Sequence, residues 1–266
     1  MTAYDHALRT SPSPRFVTRH LRVADIGHAL SRGWEDFWAM PSHLLFLGLL
    51  YPLAGLVIGL VTAGENAYWL LYPLLSGFVL IGPFAAIGLY EMSRLRERGE
   101  KPTWQDAFNV LHSPNINSVL ALGALLAVLF LAWLTVAHSL YMLFFGDEPA
   151  KSYEQFFGQL LGTQAGVSLI VIGNILGLFF AIAALALSVF SFPLMLDRHV
   201  GLAVALRTTL RATWDNPLVV ALWGLMIAVL LAIGMAAALM GLAIVMPVLA
   251  HATWHFYRRA IGPPLG

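Results

Sequence analysis

The sequence predicts an all-α fold: a polytopic helical membrane protein with six transmembrane helices in three hairpin-like repeats, each preceded by an interfacial amphipathic helix. Three observations predict it. Of the 266 residues, 59% are hydrophobic and only 11% are charged, whereas a soluble domain carries about 25% charged residues. Several apolar runs are long enough to cross a bilayer. Of the 15 basic residues, 14 fall on one side of the membrane when these runs are treated as spans, as the positive-inside rule requires.

We expect the N-terminal segment not to be a cleavable signal sequence. It is polar and contains Pro12, Pro14 and Pro41, whereas a secretory signal has an apolar core within about the first 15–30 residues. The first long apolar run begins near His43, and we expect it to insert as an uncleaved signal anchor. Residues 1–20 have little to bury, so the sequence predicts a disordered cytoplasmic N-terminus.

Five apolar regions account for the spans, each at or above the length of about 20 residues that a spanning helix needs. The first two are separated only by the short polar turn 63–67 and form a hairpin. The last region covers residues 217–257, which is too long for one helix, and its small residues between Gly234 and Gly241 predict a turn that divides it. The predicted regions are Leu44–Thr62, Tyr68–Tyr90, Ile116–Phe145, Gln164–Leu196 and Pro217–Tyr257.

The distribution of charge orients these spans and decides their number. Six spans place both termini and most of the basic residues on one side, with only Lys151 opposite, among acidic loops. The alternative of five spans, with one over-long terminal helix, would put Arg258 and Arg259 on the acidic side. The positive-inside rule therefore favours six spans in a bacterial inner membrane, with both termini in the cytoplasm.

The cytoplasmic segments predict a threefold repeat within a single membrane domain, residues 21–260, followed by a C-terminal tail, 261–266. Each unit contains an amphipathic stretch, a proline and two spans. The stretches Ala29–Pro41 and Ala205–Pro217 share length and pattern, and the middle one opens on Thr103 and Asp106, a capping box. Amphipathic helices with tryptophans lie in the membrane plane at headgroup level. The predicted repeats are 22–101, 102–201 and 202–260.

The returning helix of each repeat carries a proline followed by polar residues near its cytoplasmic end. The prolines are Pro83, Pro193 and Pro247. Ile87, Asp197 and His251 lie four positions after the prolines, and Glu91, Gly201 and His255 lie eight positions after them. This register makes Glu91 and Asp197 candidates for packing or function at a shared cytoplasmic depth.

The strongest local motif is the histidine pair, His251 and His255. Histidines at i and i+4 share one helix face, which is metal-binding spacing, but Ala252 stands where a zinc protease has glutamate. A metal or haem site is one interpretation. The interpretation that we adopt is that the histidine pair anchors the helix end or forms local hydrogen bonds, with Asp36 and Asp215 as partners, and binds no cofactor.

Few polar residues lie deeper in the spans. Asn174 is the deepest polar side chain, and we expect it to hydrogen-bond a neighbouring helix. His138 is the one histidine well inside a span, near its outer end. Gly173 and Gly177 belong to a small-residue stripe that predicts close helix packing, in the bundle or at a dimer seam; a path for a substrate is the alternative.

The assembled pattern resembles an uncharacterised family of bacterial integral membrane proteins, a domain of unknown function. Some members of that family carry the label putative cytochrome c oxidase subunit. The label agrees poorly with this chain, which has fewer deep histidines than a catalytic oxidase subunit needs. Because no activity is established for the family, the resemblance implies no functional residue and no cofactor. It covers about residues 20–260 and rests on Gly33-Trp34-Glu35-Asp36-Phe37, Gly82-Pro83-Phe84, Gly88-Leu89-Tyr90-Glu91, Ser191-Phe192-Pro193-Leu194 with Asp197, and the stretch 247–258.

Three functions remain open from the sequence. The first is a non-enzymatic scaffold, assembly or accessory factor, because no catalytic motif or deep ionisable group occurs. The second is a transporter or channel for a small or lipidic solute. The third is a haem- or metal-binding respiratory accessory subunit that uses the histidine pair. The expected partners are the lipid bilayer and another membrane protein or a second copy of the chain; no basic surface for nucleic acid occurs.

Overall fold

The computed structural model describes residues 14–40, 86–146, 150, 152–236 and 241–265, with the isolated positions 55, 59, 70, 73 and 74. These residues are mostly helical. Most of the first predicted hairpin, Leu44–Thr62 and Tyr68–Tyr90, lies outside the described residues. The elements are β1 Arg15–Thr18, α1 Val23–Ala39, α2 Ile87–Glu97, the 3-10 helix Trp104–His112, α3 Ile116–Phe145, α4 Tyr153–Gly162, α5 Gln164–Ser188, α6 Ser191–Arg198, α7 Leu202–Asp215, α8 Pro217–Ala236, α9 Leu242–Ala260 and β2 Ile261–Leu265.

The two ends of the described chain pair with each other. β1 and β2 form an antiparallel pair in which Arg15 lies opposite Leu265 and Thr18 opposite Ile261. The Arg19 amide extends the contact by donating to the Ala260 carbonyl at 2.8 Å. The prediction of disorder up to residue 20 is therefore wrong for residues 15–18, which are ordered because they pair with residues 261–265 of the C-terminal tail and each segment satisfies the other's backbone groups.

Six elements pack into one body, which we call the lobe: α1, α2, the 3-10 helix, α6, α7 and the second half of α9 from Pro247 onward. α1 contacts α9, α2 contacts the 3-10 helix, α6 and α9, and α6 contacts α7. The lobe holds most of the fully buried large side chains, including Trp254, Tyr257, Phe190 and Phe256. Its core therefore joins segments from both ends and the middle of the sequence.

The closest helix contact in the lobe is between α1 and α9, and a glycine makes it possible. A Cβ built on Gly33 would lie 2.6 Å from the Ala252 nitrogen and 2.7 Å from its Cβ. Only a residue without a side chain fits here, which gives a physical reason for glycine in the Gly33-Trp34-Glu35-Asp36-Phe37 motif. The close approach brings the buried face of α1, with Ala29, Asp36 and Phe37, onto α9.

Among the described residues, three helical segments are long and apolar enough to cross a membrane: Ile116–Phe145, Gln164–Arg198 and Pro217–Ala236. The second is interrupted between α5 and α6. Pro193 has no N–H to bond the carbonyl four residues earlier, and its ring clashes with that carbonyl, so the break lies at Val189 and Phe190. α6, beyond the break, is buried in the lobe.

The terminal apolar region divides as predicted, since α8 ends at Ala236 and α9 begins at Leu242. α9 differs from the other long helices. Its second half carries the histidine pair with Arg258 and Arg259 and is buried in protein from Pro247 to Tyr257. Because these polar and charged residues shorten its apolar stretch, α9 is not among the candidate spans of the described residues.

The amphipathic segments form as predicted at the first and third positions, as α1 and α7, whereas the middle one is a 3-10 helix. The Thr103 amide donates to Asp106 Oδ2 at 2.6 Å, which confirms the capping box. All three expose large aromatic residues, among them Trp38 (67%) and Trp214 (86%). Each segment therefore has one face in the lobe and one unburied apolar face.

Candidate functional site

The lobe encloses a cluster of polar side chains that we call the polar core: Asp36, Ser93, Arg96, His251 and His255. They come from three helices. Asp36 lies on α1, Ser93 and Arg96 on α2, and the histidine pair on α9. Asp36 is 1% exposed, Ser93 and His251 are 0% exposed, and His255 is 8% exposed. A polar group buried this deeply costs free energy unless it is hydrogen-bonded, so the bonds within the polar core determine what it does.

A continuous chain of hydrogen bonds runs through the polar core. Ser93 Oγ donates to Asp36 Oδ2 at 2.6 Å, and it lies 2.7 Å from His251 Nδ1. Because a hydroxyl has one proton, Ser93 accepts from His251 when it donates to Asp36. This assignment places a proton on His251 Nδ1. His255 Nε2 donates to the same Asp36 oxygen at 2.8 Å.

Asp36 is the centre of the polar core. Its second oxygen, Oδ1, accepts a hydrogen bond from Arg96 Nη1. Burial disfavours the charged carboxylate, but the hydrogen bonds from His255 and Ser93 outweigh it and hold the pKa of Asp36 below its ordinary value of 3.8. Asp36 is therefore an anion at neutral pH, and four groups from α2 and α9 depend on its charge directly or through Ser93.

The expectation that the histidine pair would find a partner on the amphipathic helices is confirmed for Asp36 and wrong for Asp215. Asp215 instead accepts from the Thr18 hydroxyl at 2.6 Å and lies 3.8 Å from Arg211. It is on α7, which contacts β1 rather than this part of α9. The histidine pair is also buried in protein, so it does not anchor α9 among lipid headgroups.

A second network lies one turn further along α9. Tyr257 donates to Asp197 Oδ2 at 2.8 Å, and Trp254 Nε1 donates to Glu97 Oε2 at 2.9 Å. Arg258 joins the two carboxylates, with Nε 3.0 Å from Glu97 Oε1 and Nη1 3.2 Å from Asp197 Oδ2. The network ties α9 to the ends of α2 and α6, and it gives the predicted candidate Asp197 a structural role.

Glu91, the other candidate at this depth, forms a buried ion pair within α2. Arg94 donates through Nε to Glu91 Oε2 at 2.7 Å and through Nη2 to Oε1 at 2.5 Å. The side chain of Glu91 is 4% exposed and that of Arg94 is 13% exposed. The hydrogen bonds to Glu91 outweigh burial and raise the pKa of Arg94, so Arg94 stays charged.

The remaining predicted residues lie away from the polar core. Asn174 donates to the Ile170 carbonyl of its own helix at 2.8 Å, and His138 is on an exposed face of α3. A Cβ on Gly177 would lie 3.2 Å from Trp133 of α3, so this glycine does allow a close helix contact. No atom of the described part of the chain comes within 4 Å of such a Cβ on Gly173.

The sequence did not single out Ser93 or Arg96. They follow Glu91 by two and five positions, in the polar stretch after Pro83, and that stretch was the only signal available. Among the described residues, no group of three or more His, Cys, Asp or Glu side chains has a geometry that could hold a metal ion. What the polar core can do chemically is hold protons at defined atoms and join three helices.

The comparisons with known proteins agree with this membrane architecture. A model of the family DUF2189, described as a predicted integral membrane protein, matches residues 71–197. The resemblance to an uncharacterised family of integral membrane proteins is confirmed over these residues. Characterised proteins and solved structures give no match.

Proposed function

We propose that this chain, whose residues 71–197 match the DUF2189 family of integral membrane proteins, is a multi-pass inner-membrane protein that acts as a non-enzymatic scaffold, assembly or accessory factor. The observation that carries the proposal is the burial of the polar core. An active site needs a concave surface that brings a substrate to the reacting atoms. Asp36, Ser93 and His251 are each at most 1% exposed. The hydrogen bonds that they form join α1, α2 and α9.

The connectivity of the lobe supports three membrane hairpins. The elements before and after each of the segments 41–85, 113–189 and 217–246 pack in the same body, so each segment starts and ends at the lobe. A segment that starts and ends on one side of a membrane crosses it an even number of times. Two crossings each would give six spans. The third return crossing would need the whole of α9, Leu242–Ala260, because its part before Pro247 is too short to cross a bilayer. The pairing of β1 with β2 then puts both termini on the lobe side.

The charges of the lobe support a cytoplasmic position for it. The lobe contains arginines that form ion pairs with its carboxylates, namely Arg94, Arg96 and Arg258. The positive-inside rule predicts that such arginines lie on the cytoplasmic side. The unburied aromatic faces of α1, the 3-10 helix and α7 are suited to the headgroup region next to the membrane. The lobe would then lie flat against the inner surface of the bilayer.

The described spans favour a structural role over a conduit. In the three candidate spans, only 22%, 11% and 28% of the residues in the most apolar stretch are buried. Most of their surface is therefore left to contact lipid, residues of this chain outside the described ones or another membrane protein. Asn174 is the polar side chain furthest from both ends of α5, and it bonds its own helix.

Purification of the chain in its native lipid, followed by reconstitution, separates a scaffold from a transporter. The chain is extracted in polymer-bounded nanodiscs, and the mass of the intact particle gives the stoichiometry of any bound protein. We expect a stoichiometric membrane-protein partner or a second copy of the chain. The same protein in proteoliposomes should give no more osmotic solute flux than empty vesicles.

The matched variants Gly33→Ala and Gly27→Ala test whether the partner needs the folded lobe. Gly33→Ala forces α1 away from α9, whereas a Cβ on Gly27 meets nothing within 4 Å among the described residues. We expect partner loss only for Gly33→Ala. A particle that contains one copy of the chain and no other protein, together with saturable flux of a small solute, would contradict the scaffold and favour the transporter.

A further inference from the structure

A cleft of about 300 Å³ opens beside the polar core, between α2, the 3-10 helix and α6. Its polar wall is formed by Glu91, Arg94, Asn109, Ser113 and His199. Glu91 and Arg94 form its buried floor, while Asn109 and His199 are exposed at its mouth. The cleft therefore combines a charged floor with hydrogen-bonding groups at the rim, unlike the closed polar core.

The floor of the cleft offers charges of both signs at fixed positions. The two hydrogen bonds to Glu91 use Nε and Nη2 of Arg94, so within the described part of the chain the Nη1 side of the guanidinium is left for another acceptor. Glu91 keeps lone pairs for a further donor, since a carboxylate has about four acceptor positions. A buried ion pair costs desolvation energy, and a ligand with one anionic and one cationic group would complement both partners.

The cleft also lies next to the start of a membrane span. Ser113 and Pro114 line it, and α3 begins two residues later at Ile116. The adjoining 3-10 helix exposes Trp104 and Phe108, side chains that favour the headgroup region. In the proposed orientation, the mouth of the cleft therefore lies at the depth of lipid headgroups.

We propose that this cleft binds the zwitterionic headgroup of a phosphatidylethanolamine-type lipid. The lipid phosphate would face Arg94, with Ser113 and His199 as further donors, and its primary ammonium would face Glu91. The apolar rim, Pro114 with Leu196, would contact the glycerol region. This inference rests on the proposed position of the lobe at the membrane surface, and its test is chosen so that the two can fail separately.

The test measures lipid binding to the purified, delipidated full chain by native mass spectrometry. The probes are phosphatidylethanolamine, phosphatidylglycerol and phosphatidylcholine with identical acyl chains. We expect phosphatidylethanolamine to bind about tenfold more tightly than either of the others, because that factor corresponds to one good hydrogen bond to a charged group. Phosphatidylglycerol has no cation for Glu91, and the quaternary ammonium of phosphatidylcholine cannot donate to it.

Two mild variants keep the test independent of folding. Ser113→Ala removes one donor, and His199→Asn removes the imidazole while keeping a residue that tolerates the left-handed backbone at this position, where φ is 50°. Each should weaken phosphatidylethanolamine binding about three- to tenfold with no change in melting temperature. His28→Asn, at an exposed histidine on α1, is the control and should leave binding unchanged.

The soluble headgroup, phosphoethanolamine, separates the two ways to fail. In one outcome, phosphoethanolamine binds, Ser113→Ala weakens that binding, and phosphatidylethanolamine itself does not bind. The cleft is then not at the membrane surface, and both the lipid proposal and the orientation of the lobe are overturned. Equal binding of the three lipids, or no effect of Ser113→Ala and His199→Asn, overturns the headgroup site and leaves the scaffold proposal untouched.

Discussion

The contact between α1 and α9 gives the most decisive stability prediction. In Gly33→Ala, the new Cβ would lie 2.6 Å from the Ala252 nitrogen, whereas ordinary contacts begin at 3.4 Å. The helices must then separate locally by roughly 0.8 Å. Asp36 lies one turn further along α1, so its 2.8 Å hydrogen bond with His255 would lengthen beyond bonding distance.

The expected cost combines two effects. Overpacking a well-packed contact costs about 1–3 kcal/mol, and weakening a hydrogen bond to a charged group costs about 1.5–3 kcal/mol. The two costs sum to about 2.5–6 kcal/mol, and the higher helix propensity of alanine offsets about 1 kcal/mol of this. We therefore expect Gly33→Ala to lower the free energy of unfolding by about 1.5–5 kcal/mol. The measurement is the apparent melting temperature in detergent, followed by tryptophan fluorescence, because Trp254 is buried in this lobe.

Gly27→Ala is the matched control on the same helix. A Cβ there meets no described atom within 4 Å, and alanine is a better helix former than glycine by about 1 kcal/mol. Gly27→Ala should therefore keep or raise the melting temperature. If Gly33→Ala melts at the same temperature as Gly27→Ala, the close approach of α1 and α9 is refuted.

Three further predictions follow from the same structure. Asp36→Asn should destabilise the protein by about 3 kcal/mol at pH 7, because it removes the buried anion to which Ser93, Arg96 and His255 hydrogen-bond. Glu35→Gln, at an exposed ion pair, should have little effect. Because the pKa of Asp36 is lowered in the folded state, the carboxylate stabilises the fold above pH 3.8, and this stabilisation is lost as the pH falls further. Melting curves from pH 7 to pH 3 should therefore show the difference in melting temperature between Asp36→Asn and wild type becoming smaller in acid. A difference that stays constant with pH would contradict this role of Asp36. Gly177→Leu should lower the melting temperature because the new side chain would collide with Trp133. Gly173→Leu should not, since a Cβ there meets no described atom within 4 Å. Equal melting temperatures of the two variants would contradict the closer packing at Gly177. Replacing both members of the histidine pair by glutamine should leave metal content and visible absorbance unchanged, and stoichiometric metal or haem in the wild type that disappears in the variant would make the histidine pair a ligand set.

Local patterns in the sequence predicted the elements whose cause is local. The apolar stripe of α1 and the capping box at Thr103 each depend on residues a few positions apart, and the structure has both. α8 ends at Ala236 and α9 begins at Leu242, on either side of the predicted division. The pairing of the histidine pair with Asp36 was also accessible, since it needs only a carboxylate on an amphipathic helix at the same depth.

The other long-range contacts were out of reach of the sequence. β1 and β2 are short, lie at opposite ends of the chain and owe their structure to each other. Ser93 and Arg96 gain their role only when α2 meets α1 and α9. The sequence likewise left open that the histidine pair anchors its helix end, whereas the structure buries the neighbouring Trp254 and Tyr257 in the lobe, where they donate to Glu97 and Asp197.

The central claim is that three hairpins leave a cytoplasmic lobe and return to it, and cysteine accessibility tests it most directly. The native chain has no cysteine, so single cysteines can be introduced without removing others, at the exposed positions Glu100, Arg207 and Glu154. In intact spheroplasts, a membrane-impermeant maleimide should label Glu154→Cys and should label Glu100→Cys and Arg207→Cys only after permeabilisation. Labelling of Glu100→Cys or Arg207→Cys from outside, or opposite behaviour of these two lobe positions, would contradict the account.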